Sequence, residues 1–245
     1  MNTSNELDNR LFSCAEFVRE GSIVADIGSD HAYLPIYLVK KGISPYAIAS
    51  DINEGPVKRA KTNIALCALS DKITALCADG LDKAAEYKPD DIVIAGMGGE
   101  LICSIISASA YVKNSNVRLI LQPMTMPEVL REYLAENGFR ITDEKITVAA
   151  DKCYIVICAE YDGKKHEYTC DELILGRANI ERIKRGHAAK EDFIMLERML
   201  LSVKRRIDGK MKSRSQAPSD IESEIHLQKI IEELLEYKEN YDHAN

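Results

Sequence analysis

The sequence predicts an α/β fold, a doubly wound and mostly parallel sheet, followed by an antiparallel, coiled-coil-like pair of helices. Three observations carry this. From residue 23 to about 161, apolar β-rich runs alternate with amphipathic helical patterns, as a parallel sheet covered by crossover helices requires. The last two strand-like runs are joined only by Ala150-Asp151-Lys152, too short for a crossover, so they pair as an antiparallel hairpin. Beyond Gly163 the apolar spacing changes to 3, 4, 3, 4, the seam of packed helices.

Each element has its own reason. Leu7, Leu11, Cys14, Ala15 and Val18 have helical spacing ahead of the sheet and leave Arg10 on a different face. Strands are expected near 23–27, 46–50, 73–77, 91–95 and 117–121, with the hairpin near 139–148 and 153–161. Helices begin after Asp30, at Pro56, after Gly99 and at Pro127, proline being well tolerated in a first turn. Five parallel-type strands closed by a hairpin point to a seven-stranded sheet rather than the six-stranded dinucleotide fold. In the tail, Phe193, Leu196, Leu200, Val203 and Ile207 form one seam, and Leu227, Ile230, Leu234, Tyr237 and Tyr241 another. Lys212 to Pro218 reads as the loop between them, and Ser219 with Glu222 as a capping box. The expected domains are therefore 1–163 and 164–245.

Bulk properties narrow the function classes. The start of the chain has no apolar leader region, and no stretch approaches the roughly 20 apolar residues of a membrane span. Seven cysteines, an odd number without C-x-x-C spacing or a histidine at metal-ligand spacing, read as small core residues of a reducing cytosol, so neither a disulfide frame nor a zinc site is indicated. The net charge of −7 is unevenly spread. Residues 176–214 carry twelve Lys/Arg against five Asp/Glu, residues 215–245 two against eight, and residues 1–164 seventeen against twenty-three. A basic segment that follows an acidic domain leaves a polyanionic partner open. Equally, it allows two helices whose opposite charges pair with each other.

The motifs that carry chemistry fall at the carboxyl ends of the predicted strands, which share one crevice in an α/β sheet. Asp26-Ile27-Gly28-Ser29-Asp30-His31 closes the first strand, where Gly28 lets backbone approach a ligand. Asp51-Ile52-Asn53 closes the second, and a carboxylate there accepts from both ribose hydroxyls. A dinucleotide turn needs G-x-G-x-x-G, but Gly28 is followed by no second or third glycine. Asp26 and Asp30 repel a pyrophosphate and attract a cation. S-adenosylmethionine, with a sulfonium, an ammonium and a ribose but no phosphate, fits.

Asp79-Gly80-Leu81 follows the third strand, offering a carboxylate to the adenine amine and a backbone N–H to the ring. Ile94-Ala95-Gly96-Met97-Gly98-Gly99 ends the fourth with three glycines, leaving room for a flat base. Gln122 closes the fifth, able to donate to and accept from a base edge. His31 is the only histidine in the chain before residue 166.

Taken together, A-D-I-G-S-D-H-A-Y-L-P at 25–35, S-D-I-N-E-G-P at 50–56, D-G-L at 79–81, I-A-G-M-G-G at 94–99, L-I-L-Q-P at 119–123 and L-x-x-R-L at 7–11 closely resemble the bacterial tRNA (adenine-22-N1)-methyltransferase family (TrmK). The resemblance spans essentially the whole chain, although the helical tail carries no residue-by-residue match. It implies a Rossmann-like class I methyltransferase sheet that transfers a methyl group from S-adenosylmethionine to N1 of an adenine in tRNA. The implied cofactor residues are Asp26, Gly28, Ser29, Asp30, His31, Asp51, Ile52, Asn53, Asp79, Gly80, Leu81, Gly96 and Met97. Asp30, His31, Gly98, Gln122 and Arg10 are the candidate catalytic set, with Asp30 foremost in stabilising the cationic product. Arg198, Lys204, Arg205 and Arg206 are the candidate contacts to tRNA phosphates. A cytoplasmic monomer without metal or membrane is expected. A methyltransferase of the same fold acting on another RNA base or a small molecule is the alternative. A nucleotide-dependent oxidoreductase lacks its phosphate turn, and a non-enzymatic RNA-binding module leaves Asp26, Asp51 and Asp79 unexplained.

Overall fold

The computed structural model describes residues 7–149, 152–212 and 218–244. Two compact units are present, Met1–Glu167 and Tyr168–Asn245. Residues 164–167 are tied to the first, since His166 N donates to Ala135 O at 3.0 Å and the His166 ring meets Asp162 at 3.1 Å.

The first unit opens with α1 (Asn9–Ala15), capped by the Asp8 carboxylate on Leu11 N at 2.8 Å. Then follow β1 (Val24–Ile27), α2 (Tyr33–Lys40), β2 (Ala47–Asp51), α3 (Glu54–Leu66) and β3 (Ile73–Cys77). After them come β4 (Asp91–Gly98), α4 (Gly99–Ala108), β5 (Arg118–Thr125), α5 (Pro127–Glu136), β6 (Phe139–Ala149) and β7 (Lys152–Tyr161). The strands form one seven-stranded sheet in the order β3-β2-β1-β4-β5-β7-β6. The first five are parallel, and β7 runs antiparallel to both neighbours. All seven expected strands are present, and the hairpin pairs as expected; its link at 150–151 lies outside the described residues.

Helices cover both faces, so the central strands are buried on both sides and are mostly apolar, with the polar residues Asp26, Asp91 and Gln122 buried among them. One core cluster is built around Ile48, Ile92, Ile94, Leu119 and Phe139, and a second around Val24, Leu38, Ala49, Val93 and Ile120. At the amino ends of the central strands, the fully buried Asp91 carboxylate accepts from Arg19 N and Nε, each at 2.7 Å, and from Ser22 Oγ at 3.0 Å. The chain order reverses between β1 and β4, and this switch point opens the crevice at their carboxyl ends.

The glycine run at 96–99 differs from a loop. Gly96 to Gly98 continue β4, with Met97 opposite Pro123 and Gly98 opposite Thr125, and the register shifts on either side of Met97. Gly96, at φ +80°, forms the irregularity. Its pairing runs through backbone groups, and an apolar pattern does not reveal it.

The second unit contains α6 (Cys170–Leu175), α7 (Arg177–Lys184), α8 (Lys190–Lys212) and α9 (Pro218–Ala244). Helices α8 and α9 are antiparallel: Glu197 pairs with Lys238 at 2.6 Å, Lys204 with Glu232 at 3.0 Å and Arg206 with Glu224 at 2.9 Å, in reverse order along the two helices. The α8 seam is as read from the sequence, with Phe193, Leu196, Val203 and Ile207 buried and Leu200 packed against them. In α9 the buried set is Leu227, Ile231 and Leu234. Ile230 is only half-buried, Tyr237 is 38 % exposed, and Tyr241 packs on Phe193 with ring centroids 5.4 Å apart. The α9 stripe thus advances by four residues and then three, which moves Tyr237 off it. The expected loop at 213–217 and the Ser219 side chain lie outside the described residues.

Candidate active site

The crevice floor begins with Asp26 near the end of β1. Burial pushes its carboxyl up to about 6, against the downward pull of the nearby Ser29 hydroxyl and the Arg10 charge. The Ser29 hydroxyl does not reach hydrogen-bonding geometry. Both Ser29 Oγ and Ser50 Oγ are buried without a partner among the described residues. The turn itself is fastened to β2: Gly28 N and Ser29 N both donate to Ser50 O, at 2.7 and 2.9 Å. Gly28 has φ +80°, and a Cβ there would lie 2.2 Å from Met97 Cε. Glycine is therefore required twice, by the left-handed backbone and by the approach of β4.

Asp51 ends β2 and is half-buried. Its Oδ1 accepts from Asn53 N at 2.8 Å and Asn53 Nδ2 at 3.3 Å, leaving Oδ2 without a hydrogen bond among the described residues. Ile52, beside it, is 60 % exposed, an apolar face at the lip of a polar cleft. Ala78 N donates to Asp51 O at 3.0 Å, which brings the start of the 79–81 segment alongside. Asp79 is exposed, and Gly80 has φ +49°. Leu81 is packed in the core with its side chain 2 % exposed, so only its backbone can serve a ligand.

Asp30 and His31 stand in a different environment from the one their chemistry suggested. Asp30 accepts from Arg59 Nε at 2.7 Å and from Arg59 Nη2, and lies 3.4 Å from His31 Nε2. Its charge is already met. The His31 ring stacks on Tyr33 with centroids 5.0 Å apart and planes at 10°. The uncommitted carboxylate on the floor is Asp26.

Gln122 is wholly buried, and its amide is spent inside the protein. Its Oε1 accepts from Arg10 Nη1 at 2.9 Å and from Gly96 N at 3.1 Å, and its Nε2 donates to Pro123 O at 2.8 Å. Rather than reading a base edge, Gln122 locks Arg10 and the Gly96 irregularity together. Among the glycines, Gly99 meets a packing demand, since a Cβ there would lie 2.3 Å from Met126 O. Gly98 faces Thr125 Oγ1, 3.2 Å from where its Cβ would be.

Residues 7–157 match the family model for a methyltransferase domain. The tRNA (adenine(22)-N(1))-methyltransferase of Bacillus subtilis strain 168 is 39 % identical over 163 residues, covering 66 % of this chain and 68 % of that protein. The chain belongs to this methyltransferase family. The crystal structure of the B. subtilis m1A22 tRNA methyltransferase TrmK superposes with a TM-score of 0.77 at 28 % identity, covering 95 % of this chain and all of that one. A Streptococcus pneumoniae relative crystallised with S-adenosyl-L-methionine gives a TM-score of 0.78 at 30 % identity, over 94 % of this chain and 100 % of that one. The methyltransferase sheet is thus as expected from the strand pattern, and Asp26, Asp51 and Asp79 lie at or just beyond the carboxyl ends of β1, β2 and β3.

The sequence reading missed three features. Arg59, which occupies Asp30, sits on α3, where its only signal was a cation one helix away from the turn. Asn53 orients Asp51 rather than serving a ligand alone. In the second unit, α6 carries a capping box, Thr169 with Glu172, which is a legible sequence signal.

The cations expected to meet RNA are partly engaged. Lys204 and Arg206 pair with Glu232 and Glu224 on α9, while Arg205 is exposed. Among the described residues there is no cluster of His, Cys, Asp and Glu fit to hold a metal ion, and no helix long and apolar enough to cross a membrane. Burial pushes the Cys14 thiol up to about 12 and that of Cys103 to about 11, so neither is a nucleophile near neutral pH.

Proposed function

We propose that this chain transfers a methyl group from S-adenosylmethionine to N1 of adenine-22 in tRNA. The observation that carries the reading is the Gly28 turn, hydrogen-bonded to Ser50 O, which sets a buried carboxylate, Asp26, and a half-committed one, Asp51, along one crevice.

The residues present suit the cofactor. Asp51 Oδ2 is available to ribose hydroxyls, the exposed Ile52 to an adenine face, and Asp79 to its amine. The unpartnered Ser29 and Ser50 hydroxyls, with Asp26, form a polar end suited to an ammonium and a carboxylate. When bound, S-adenosylmethionine supplies an electrophilic methyl group on a sulfonium.

Neutral adenine has its own in-plane lone pair at N1, so no residue must take a proton before attack. What the chain supplies is alignment and exclusion of water. Gly96 and Gly98 keep one wall of the crevice thin enough for a flat base, and Arg10, held by Gln122, stands at that wall. The product is a cation, and the Asp26 carboxylate favours positive charge developing over the floor. N1 lies on the pairing edge, so the base must leave any helix before it reacts. The exposed α8 cation Arg205 is our first choice for a contact to tRNA phosphates, with Arg198, Lys204 and Arg206 contributing less because each is already engaged within the protein. The reaction belongs in the cytoplasm, with a monomer as the working unit.

The test is transfer of labelled methyl from S-adenosylmethionine to an unmodified tRNA transcript. Label is expected as 1-methyladenosine at position 22 and should vanish when that adenine is replaced. Label on another base, or on a small molecule alone, would overturn the assignment.

A further inference from the structure

Across the crevice from Asp51, two methionines are exposed at the carboxyl end of β5, Met124 by 46 % and Met126 by 42 %. Single exposed apolar side chains are ordinary on a protein surface, but these two are held in place. Met124 shares a sheet face with Gln122, two residues back, and its Sδ accepts from Gln122 Nε2 at 3.7 Å. The same amide holds Arg10. Met126 has φ +56° and ψ +49°, a left-handed backbone that a long side chain rarely adopts. The Pro127 that follows makes it rarer still, since proline favours extended backbone in its predecessor. The conformation persists because the first residue of α4 packs against it: a Cβ on Gly99 would lie 2.3 Å from Met126 O. Strain of this kind gathers where a ligand is gripped. Leu101, in the opening turn of α4, adds a third exposed apolar side chain.

We propose that Met124 and Met126 form an apolar lip that closes on one face of the target adenine and holds it in line with the cofactor methyl. The proposal rests on the tRNA reading above and deepens it. Sheet order gives the direction, since neighbouring strand ends run β2, β1, β4, β5. With the ribose on Asp51 at β2 and the charged end of the cofactor on Asp26 at β1, the acceptor is left the ends of β4 and β5. On that side β4 presents Gly96 and Gly98, which make room but grip nothing, and β5 presents the two methionines. A base that enters and leaves at every turnover is well served by methionine, whose unbranched thioether adapts to the contact and is attracted to a flat ring. The same contact strips water from the ring whose N1 attacks the methyl.

The test uses the full chain, S-adenosylmethionine and an unmodified tRNA transcript. Met124→Ala and Met126→Gly should each lower kcat/KM for tRNA about tenfold, the order of one buried methionine contact, and the two together about a hundredfold. Met124→Leu and Met126→Leu should stay within about threefold of the wild type, since they keep the apolar surface. Affinity for S-adenosylmethionine, read by calorimetry, should stay within about twofold in every variant, because Asp51 and Asp26 are untouched. The melting temperature of Met126→Gly should stay close to that of the wild type, relief of the left-handed strain offsetting glycine's greater freedom in the unfolded chain. Intact stability with lost transfer is a pairing that a packing role would not produce. Wild-type kcat/KM in the Ala and Gly variants, when the wild type methylates tRNA, would overturn the lip alone. Weakened S-adenosylmethionine binding would give the methionines to the cofactor, and a clearly lowered melting temperature would give them to the protein's own packing; either result overturns it. A wild type that transfers no methyl to tRNA would bring down both readings together.

Discussion

Replacing Asp26 by asparagine removes the crevice carboxylate that ionises nearest to neutral pH. Its value is raised from 3.8 to about 6 by burial. Between those limits the folded chain holds a proton that the unfolded chain has released, so stability falls as pH rises through the window. At about 1.4 kcal/mol per pH unit, the ionised carboxylate costs the free protein about 3 kcal/mol above pH 6. A cationic ligand gains from the same charge. With a value of about 6, the ionised fraction rises from about one tenth at pH 5 to about nine tenths at pH 7, so the Kd for S-adenosylmethionine should fall about tenfold across that range. In Asp26→Asn the cofactor should bind weakly and without this pH dependence, and urea unfolding at pH 8 should show a protein more stable than the wild type by up to about 3 kcal/mol. Calorimetric titrations at pH 5, 6, 7 and 8 report the binding arm. A flat wild-type profile, or the same tenfold slope surviving in Asp26→Asn, refutes the role given to this carboxylate.

Asp51→Ala should weaken S-adenosylmethionine binding by about 1.5–3 kcal/mol through loss of a charge-assisted bond to the ribose hydroxyls; unchanged affinity in a folded variant, measured by calorimetry, removes Asp51 from the site. Gly98→Val should abolish methyl transfer while cofactor affinity stays within a few fold, because the added methyls project from the thin wall opposite Thr125; normal turnover would place the base elsewhere. Neutralising Arg198, Lys204, Arg205 and Arg206 together should reduce the salt slope of tRNA binding by about one rather than about four, since α9 engages Lys204 and Arg206 and Arg198 is also engaged. An unaltered slope in filter-binding titrations would make these charges a solvated helix face.

The parts of this molecule that are written locally were legible. Strands β1 and β2 announce themselves because burial on both faces forces continuous apolar runs, and the turn after β1 because Gly28 alone tolerates its backbone. The α8 seam was read correctly for the same reason, one helix face buried along its length. What depended on distant partners was not legible. Gln122 and Arg10 are 112 positions apart, and nothing in either segment says that the amide of one will be consumed by the other. Asp30 looked like a cation site because Arg59, 29 residues on, approaches it only after α3 has folded against the turn. The α9 stripe was misjudged at Tyr237 because Ile230 and Ile231 are adjacent apolar residues: stepping from Leu227 to Ile230 rather than to the buried Ile231 puts the same 3, 4 alternation in the wrong phase. Helices α6 and α7 are short, and their spacing gives too few turns to register, although Thr169 and Glu172 mark where the first begins.

The Gln122 amide binds the irregular end of β4, the last parallel strand and the N-terminal helix into one knot. Shortening the chain by its first dozen residues would therefore act as an active-site lesion, even though those residues precede the sheet and add nothing to its strands.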